Sequence, residues 1–123
     1  MISAPTIIIV EDEMIIALDL QTRLRRLCCE VLATVTSGEE AIALVAATRP
    51  DLVFMDIGLS GELDGIAAAQ QIQAHATVPI VFLSAYVDAQ TRERIEASAP
   101  AAFITKPFSE AELRHVIQTL LGR

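Results

Sequence analysis

The sequence predicts an α/β fold in which helices cover both faces of a five-stranded parallel sheet. Five short runs are rich in apolar residues, and most are continuously apolar rather than alternating, which is typical of strands buried on both faces. Five longer segments of helical character separate or follow these runs, with short connections, so right-handed crossovers would make the strands parallel. The predicted strands are residues 6–10, 31–35, 51–55, 79–83 and 101–105.

The first two helices are predicted from an apolar stripe and from a capping pattern. The first helix, at roughly residues 13–28, has apolar side chains at three- and four-residue spacing: Ala17, Leu20, Leu24 and Leu27. The second starts at Ser37, has Glu40 three residues later as in a capping box, and runs to about Thr48. Pro50 ends this segment because proline cannot continue a helix.

The other three helices are bounded by turn and cap residues. The third, residues 65–75, follows Asp64, which is predicted to be a turn residue and a helix cap. The fourth begins near Asp88 and ends before Pro100. The fifth begins with a second capping box at Ser109. Its apolar residues form one stripe: Leu113, Val116, Ile117 and Leu120.

Length and composition limit the classes of function. A chain of 123 residues, 53% of them hydrophobic, can bury one core, so we expect one domain over residues 1–123 with no output domain. The net charge of −7 disfavours binding to nucleic acid or to anionic membranes. Cys28 and Cys29 are too few for a disulfide framework, and no apolar run is long enough for a signal peptide or a membrane span. We therefore expect a cytoplasmic protein.

Polar side chains follow four of the predicted strands at the point where each strand ends. Glu11 and Asp12 follow the first strand, Asp56 the third, Ser84 the fourth and Lys106 the fifth. The carboxyl ends of parallel strands lie at one edge of the sheet, where open α/β sheets bind their ligands. Carboxylates placed so close together repel each other unless a cation compensates their charge. Mg²⁺, a hard cation that prefers oxygen ligands, would resolve that conflict.

These residue types suit phosphoryl transfer. Asp56 beside a metal ion could act as a nucleophile toward phosphorus, since aspartate is a known phosphoryl acceptor. Lys106 would place a second cation on a phosphate oxygen, and the hydroxyl of Ser84 would donate to another. Phosphoryl transfer depends mainly on such positioning and charge stabilisation.

Four motifs carry a resemblance to a known family. They are IIIVEDE, DLVFMDI, PIVFLSA and FITKPF, in this order and at the ends of predicted strands. Together they resemble the receiver domain of bacterial two-component response regulators, over essentially the whole chain. The resemblance implies a flavodoxin-like (βα)5 doubly wound sheet with strand order 2-1-3-4-5. It also implies a module that is not a classical enzyme. Such a module takes a phosphoryl group from a histidine kinase or histidine phosphotransfer protein, later hydrolyses it, and acts on a downstream target or output domain.

The resemblance assigns a role to each residue of the acidic site. Asp56 corresponds to the phosphoacceptor and Lys106 to the phosphate-binding lysine. Asp12 corresponds to a direct Mg²⁺ ligand, and Glu11 to an acid that acts on the metal largely through water. Asp56 and the backbone carbonyl of Gly58 complete the implied ligand set. Glu11 departs from the commonest pattern, which has a second aspartate.

The resemblance also implies a switch. Ser84 corresponds to the hydroxyl that moves toward the phosphoryl group, and Phe103 to an aromatic side chain that changes rotamer, although tyrosine is commoner there. The change would alter the face built from the fourth helix, fifth strand and fifth helix, through which a homodimer could form. Tyr86 is predicted to influence the phosphoryl lifetime, and the peptide bond Lys106–Pro107 is predicted to be cis. The loop after Gly58 is one residue longer than usual and has Ser60 where proline is common.

Other interpretations stay open from the sequence alone. Glu11 and Asp12 could form an ordinary helix cap, and Phe103 could be a static core residue. A Mg²⁺-dependent phosphohydrolase is less favoured, because phosphatases with an aspartyl intermediate place a second aspartate where this chain has Met14. A flavin or nucleotide binder would need a glycine-rich or hydroxyl-rich loop after the first strand, where acids lie instead. The main alternative is a receiver-like scaffold that binds partners without phosphorylation.

Overall fold

The computed structural model describes residues 3–85 and 88–122, in which strands and helices alternate as predicted. The strands are β1 (Thr6–Val10), β2 (Glu30–Val35), β3 (Leu52–Asp56), β4 (Ile80–Ser84) and β5 (Ala102–Thr105). The helices are α1 (Met14–Arg26), α2 (Gly38–Thr48), α3 (Gly65–His75), α4 (Ala89–Ser98) and α5 (Glu110–Leu121). Within the described residues, no helix is long and apolar enough to cross a membrane.

The sheet has the predicted topology. Its strands are parallel and lie in the order β2-β1-β3-β4-β5. The chain first builds outward from β1 to β2 and then crosses back to β3, so the direction of winding reverses between β1 and β3. The crevice at such a reversal is where doubly wound sheets bind ligands. The predicted flavodoxin-like fold is therefore confirmed.

Two apolar layers enclose the sheet, because successive strand residues point to opposite faces. On one face, Ile7 and Ile9 of β1 pack with the buried residues of α1 and α5. On the other face, Ile8 and Val10 pack with residues of α2, α3 and α4. The central strands β3 and β4 are buried at every position, whereas the edge strand β2 alternates between exposed and half-buried residues. The sheet thus holds the ends of its central strands rigidly.

The first helix is shorter than the sequence predicted. It ends at Arg26 rather than at residue 28, because Cys28 adopts a left-handed backbone conformation with φ of 65°. The amides of Cys28 and Cys29 turn back to donate to the carbonyls of Arg25 and Leu24, as at many helix C-termini. Cys28 is exposed and Cys29 is buried.

The predicted caps are present at the helix starts. Ser109 and Glu112 form a capping box, with each side chain bonded to the backbone of the other residue. Ser37 accepts from the amide of Glu40, but the Glu40 carboxylate bonds to the hydroxyls of Ser37 and Thr36 instead of a backbone amide. Asp64 caps α3 by accepting from the amide of Ala67 at 2.8 Å. These caps fix where α2, α3 and α5 begin.

Candidate functional site

The structure brings the predicted strand-end residues together at one edge of the sheet. Asp56 and Ser84 are the last residues of β3 and β4 rather than the first residues beyond them, and they are only 5% and 4% exposed. Glu11 directly follows β1 and is 1% exposed. Backbone hydrogen bonds align these ends, since the amide of Lys106 donates to the carbonyl of Ser84 at 2.7 Å.

Three carboxylates form the centre of the site. Glu11, Asp12 and Asp56 each present one oxygen within 4.8 Å of the oxygens of the other two. Glu11 and Asp56 are buried and Asp12 is half-buried, so water screens the negative charges only partly. The cluster is the kind of crowded acidic site that the sequence predicted, and it needs positive charge nearby.

Lys106 supplies one positive charge. Its ammonium lies 2.8 Å from Oε2 of Glu11 and 3.5 Å from Oδ1 of Asp56, and its side chain is only 10% exposed. Burial lowers the pKa of Lys106, but the bond to Glu11 and the charges of both acids more than offset this, so the pKa lies above its ordinary value. Lys106 therefore keeps its charge between the two buried acids.

Glu11 carries the main electrostatic cost of the cluster. Burial raises the pKa of Glu11, and the hydrogen bond from Lys106 only partly opposes that effect. The negative charge of Asp56 raises it further, so the net shift is upward. One lysine does not neutralise the pair of buried acids, and a further cation would bind favourably here.

The loop after β3 holds the other two acids. The amide of Gly58 donates to Oδ1 of Asp56 at 3.0 Å. The amide and the hydroxyl of Ser60 both donate to Oδ2 of Asp12, at 3.0 and 2.8 Å. These two bonds are the main reason that the pKa of Asp12 lies below its ordinary value. Sequence reasoning noted Ser60 only as a departure in the loop and missed this contact.

Gly65 is a second residue whose role the sequence did not reveal. A Cβ at this position would overlap the backbone carbonyl oxygen of Asp56 and lie 2.8 Å from the Cα of Ile57. The first turn of α3 therefore packs directly on the backbone of Asp56, which only glycine permits. The sequence indicated a turn at Asp64 and Gly65, but the close approach depends on tertiary packing.

The donor set fits Mg²⁺. Three carboxylates provide hard oxygen ligands around one point, and magnesium in proteins is held by one or two carboxylates with water and phosphate oxygens in the remaining positions. Asp12 lies just after β1 and Asp56 ends β3, and the direction of winding reverses between these two neighbouring strands. Glu11 accepts a hydrogen bond from the ammonium of Lys106 at 2.8 Å.

The two residues predicted to form a switch, Ser84 and Phe103, lie on β4 and β5, the strands that follow β3 across the sheet. Ser84 is buried at the end of β4. Phe103 is half-buried and packs against the layer formed with α2, α3 and α4, so its position suits a core residue as well as a mobile ring. Tyr86 lies outside the described residues. The peptide bond Lys106–Pro107 is cis, as predicted.

Comparisons with known proteins identify the family to which this fold and acidic site belong. The family model of the response regulator receiver domain matches residues 7–118. The chain is 35% identical over 117 residues to the transcriptional regulatory protein PdtaR of Mycobacterium tuberculosis, covering 95% of the chain and 57% of PdtaR. It is 34% identical over 120 residues to the phyllosphere-induced regulator PhyR of Methylorubrum extorquens, covering 96% of the chain and 44% of PhyR. The chain thus spans about half of the length of these two relatives.

Solved structures agree with this grouping. The signal receiver domain of a modulated diguanylate cyclase from Desulfovibrio desulfuricans matches with a TM-score of 0.92 and 32% identity, over 98% of this chain and 95% of that one. The receiver domain of the sensor histidine kinase PA1611 from Pseudomonas aeruginosa matches with a TM-score of 0.88 and 30% identity, over 98% of this chain and all of that one. That receiver has a magnesium ion coordinated in its active site cleft. This chain belongs to the response regulator receiver domain family.

Proposed function

We propose that this receiver domain accepts a phosphoryl group on Asp56 from a phosphohistidine and thereby switches a protein-interaction surface. One observation carries the proposal. Asp56 is buried at the end of β3, with the ammonium of Lys106 at 3.5 Å and the carboxylates of Glu11 and Asp12 close by. The carboxylates would bind a cation, and the cation and Lys106 would bind a phosphoryl group. Receiver domains interact with histidine kinases or phosphotransfer proteins, which would be the donors.

The transfer forms one bond and breaks another. A carboxylate oxygen of Asp56 attacks the phosphorus, the bond from phosphorus to the imidazole nitrogen breaks, and the donor histidine takes up a proton from solvent. Asp56 then carries an acyl phosphate, which water later hydrolyses to regenerate the carboxylate. Such a cycle of self-phosphorylation and dephosphorylation makes the domain a switch rather than a classical enzyme.

Each surrounding residue has a part that its chemistry can fill. The Lys106 ammonium would bind a phosphoryl oxygen in place of Glu11, and the Ser84 hydroxyl would donate to another. Gly58 donates its amide to Asp56 and so holds the acceptor in position. Asp12, Asp56 and the carbonyl of Gly58 would hold Mg²⁺, with Glu11 acting through water. The metal would neutralise charge on the transferring group.

The first test uses a small phosphodonor and intact mass spectrometry. Incubation with acetyl phosphate and MgCl₂ should add one phosphoryl group to the wild type, and EDTA or Asp56→Asn should abolish the gain. Asp51→Asn is the matched control, since Asp51 lies before the opposite end of β3 and binds Thr6 there. No gain in a wild type that binds Mg²⁺, from either acetyl phosphate or a phosphorylated histidine phosphotransfer domain, would remove the proposal and favour a phosphorylation-independent scaffold. No gain from acetyl phosphate alone would indicate strict dependence on a protein donor.

The same assay can test a protein donor. Ile15 is 84% exposed on α1, and Met14 and Leu18 are also exposed apolar residues of that helix, which begins two residues after Asp12. We propose that the phosphohistidine protein contacts this surface. Ile15→Ser should slow transfer from a phosphorylated histidine phosphotransfer domain and leave labelling by acetyl phosphate unchanged. Leu32→Ser, at an exposed leucine of β2, should affect neither reaction.

A further inference from the structure

Ser60 makes two bonds to one oxygen of Asp12. Its backbone amide lies 3.0 Å and its hydroxyl 2.8 Å from Oδ2, across 48 positions in the sequence. Ser60 itself is exposed in the loop between β3 and α3, whereas Asp12 is a half-buried member of the acidic cluster. The contact therefore joins the segment after β1 to the loop after β3.

The geometry restricts Asp12 in a way that matters for cation binding. Two donors on Oδ2 fix the rotation of the Asp12 carboxylate. One oxygen of this carboxylate lies within 4.8 Å of oxygens of Glu11 and Asp56. The same loop also contacts the second acid, because the amide of Gly58 donates a hydrogen bond to Asp56 at 3.0 Å. Both acids of the proposed magnesium site are thus oriented by one short loop.

We propose that Ser60 is a positioning residue, which orients Asp12 for Mg²⁺ through its hydroxyl and amide. This inference rests on the proposed magnesium site. Groups that bond to metal ligands orient them, and their loss typically lowers metal affinity by about ten- to a hundredfold. Ser60→Ala removes the hydroxyl bond and keeps the amide bond. We therefore expect Mg²⁺ affinity to fall by about tenfold, the lower end of this range.

A purely structural role of the Ser60 hydroxyl makes a different prediction. It would lower the free energy of unfolding of the metal-free domain and leave the affinity of the folded domain for Mg²⁺ unchanged. A positioning role lowers the affinity. It also raises the Mg²⁺ concentration that gives half-maximal labelling by acetyl phosphate, without changing the labelling rate at saturating Mg²⁺.

Calorimetric titration of MgCl₂ into the EDTA-treated and dialysed domain distinguishes the two roles. Ser60→Ala should bind about tenfold more weakly than the wild type, and Ser60→Thr, which keeps a hydroxyl, should restore most of the affinity. Thr48→Ala is the control, because the Thr48 hydroxyl donates to the carbonyl of Leu44 at the end of α2, at 2.7 Å. It should bind like the wild type.

Two outcomes would overturn the inference, and only one of them would also overturn the proposed function. Equal Mg²⁺ affinities of the wild type and Ser60→Ala would refute the role of Ser60 and leave the proposed function intact. Absence of Mg²⁺ binding by the wild type would refute the magnesium site itself, and with it both proposals.

Discussion

Asp56 is buried among crowded carboxylates at the end of β3. Glu11 and Asp12 each have an oxygen within 4.8 Å of an oxygen of Asp56. Among the described residues, the ammonium of Lys106 at 3.5 Å and the amide of Gly58 at 3.0 Å oppose this repulsion. Burial is the main reason that the pKa of Glu11 lies above its ordinary value, and the negative charge of Asp56 raises it further against the opposing bond from Lys106. Functional sites often retain such unfavourable arrangements at a cost in stability.

Asp56→Asn should therefore stabilise the metal-free domain. Removing one of three crowded charges is expected to raise the free energy of unfolding by about 1 kcal/mol, a typical gain when a strained functional residue is replaced. In wild type, Mg²⁺ at ten times its Kd should add about 1.4 kcal/mol, and Asp56→Asn should lose most of that increment. Urea unfolding in EDTA and in MgCl₂ measures both effects, with Asp51→Asn as the control. Lower stability of Asp56→Asn than of wild type in EDTA would contradict this account.

Among the helices, α4 is anchored to the sheet by few buried residues. Ile95 is its one buried residue, whereas α3 buries five of its positions. Arg94 compensates in part, since its two terminal nitrogens lie 2.9 and 3.2 Å from the two oxygens of Asp64. Asp64 also caps α3, so this ion pair ties α4 to the helix that begins against Asp56.

The ion pair gives stability that depends on pH. Burial raises the pKa of Asp64, but the bonds from Arg94 and from the amide of Ala67 outweigh it, so the pKa lies below its ordinary value of 3.8. A carboxyl with a lowered pKa contributes stability that is present above its unfolded value and is lost as the pH falls through its folded value. The contribution of this pair is therefore present at neutral pH and lost in acid.

Arg94→Gln should lower the free energy of unfolding at neutral pH by about 0.5 kcal/mol, because both partners are partly exposed and solvent screens the pair. The difference from wild type should shrink as the pH falls below 3.8, where Asp64 becomes protonated in the folded domain. Urea unfolding over a pH series measures this, with Arg92→Gln on the same helix as the control. A difference that stays constant into acid would indicate lost packing rather than a lost ion pair.

The parallel α/β fold and most residues of the acidic site follow from local sequence patterns. Continuous apolar runs predict buried parallel strands, and the ends of such strands necessarily meet at one edge. That geometry alone places Asp56, Ser84 and Lys106 at the same edge of the sheet, and the strand order decides how close together they lie. The strand order 2-1-3-4-5 came from the resemblance, because periodicity does not distinguish one order of parallel strands from another.

The features that the sequence did not predict depend on tertiary geometry. Ser60 reaches Asp12 across 48 residues because of the path of one irregular loop, which no propensity or spacing encodes. Gly65 looks like an ordinary turn glycine until α3 is packed on the backbone of Asp56. The end of α1 was placed two residues too late because Cys28, a residue without a preference for positive φ, adopts the left-handed conformation.

The weak anchoring of α4 predicts where phosphorylation would change the molecule. Regions with few buried contacts open at low free energy, so they respond first when a neighbouring strand end moves. Phe103 lies next to α4 and borders a surface cavity of about 280 Å³ that is also lined by Ile95 and Pro100. A ring that borders such a cavity has space to change rotamer, whereas the fully buried Phe54 of β3 does not.

Labelling by excess acetyl phosphate and MgCl₂ should thus change amide hydrogen exchange in α4 and β5 and leave α1 and α2 unchanged. Wild type in MgCl₂ without acetyl phosphate is the reference that separates phosphorylation from metal binding, because Asp56→Asn is itself expected to lose most of its response to Mg²⁺. Phe103→Ala should still become phosphorylated but should show a smaller change in β5, because the ring that lines a cavity together with residues of α4 is missing. A uniform change over all helices would point to a general stabilisation by Mg²⁺. Complete labelling with unaltered exchange in α4 and β5 would show that the face built from α4, β5 and α5 does not transmit the signal. A homodimer formed through that face would then not depend on phosphorylation.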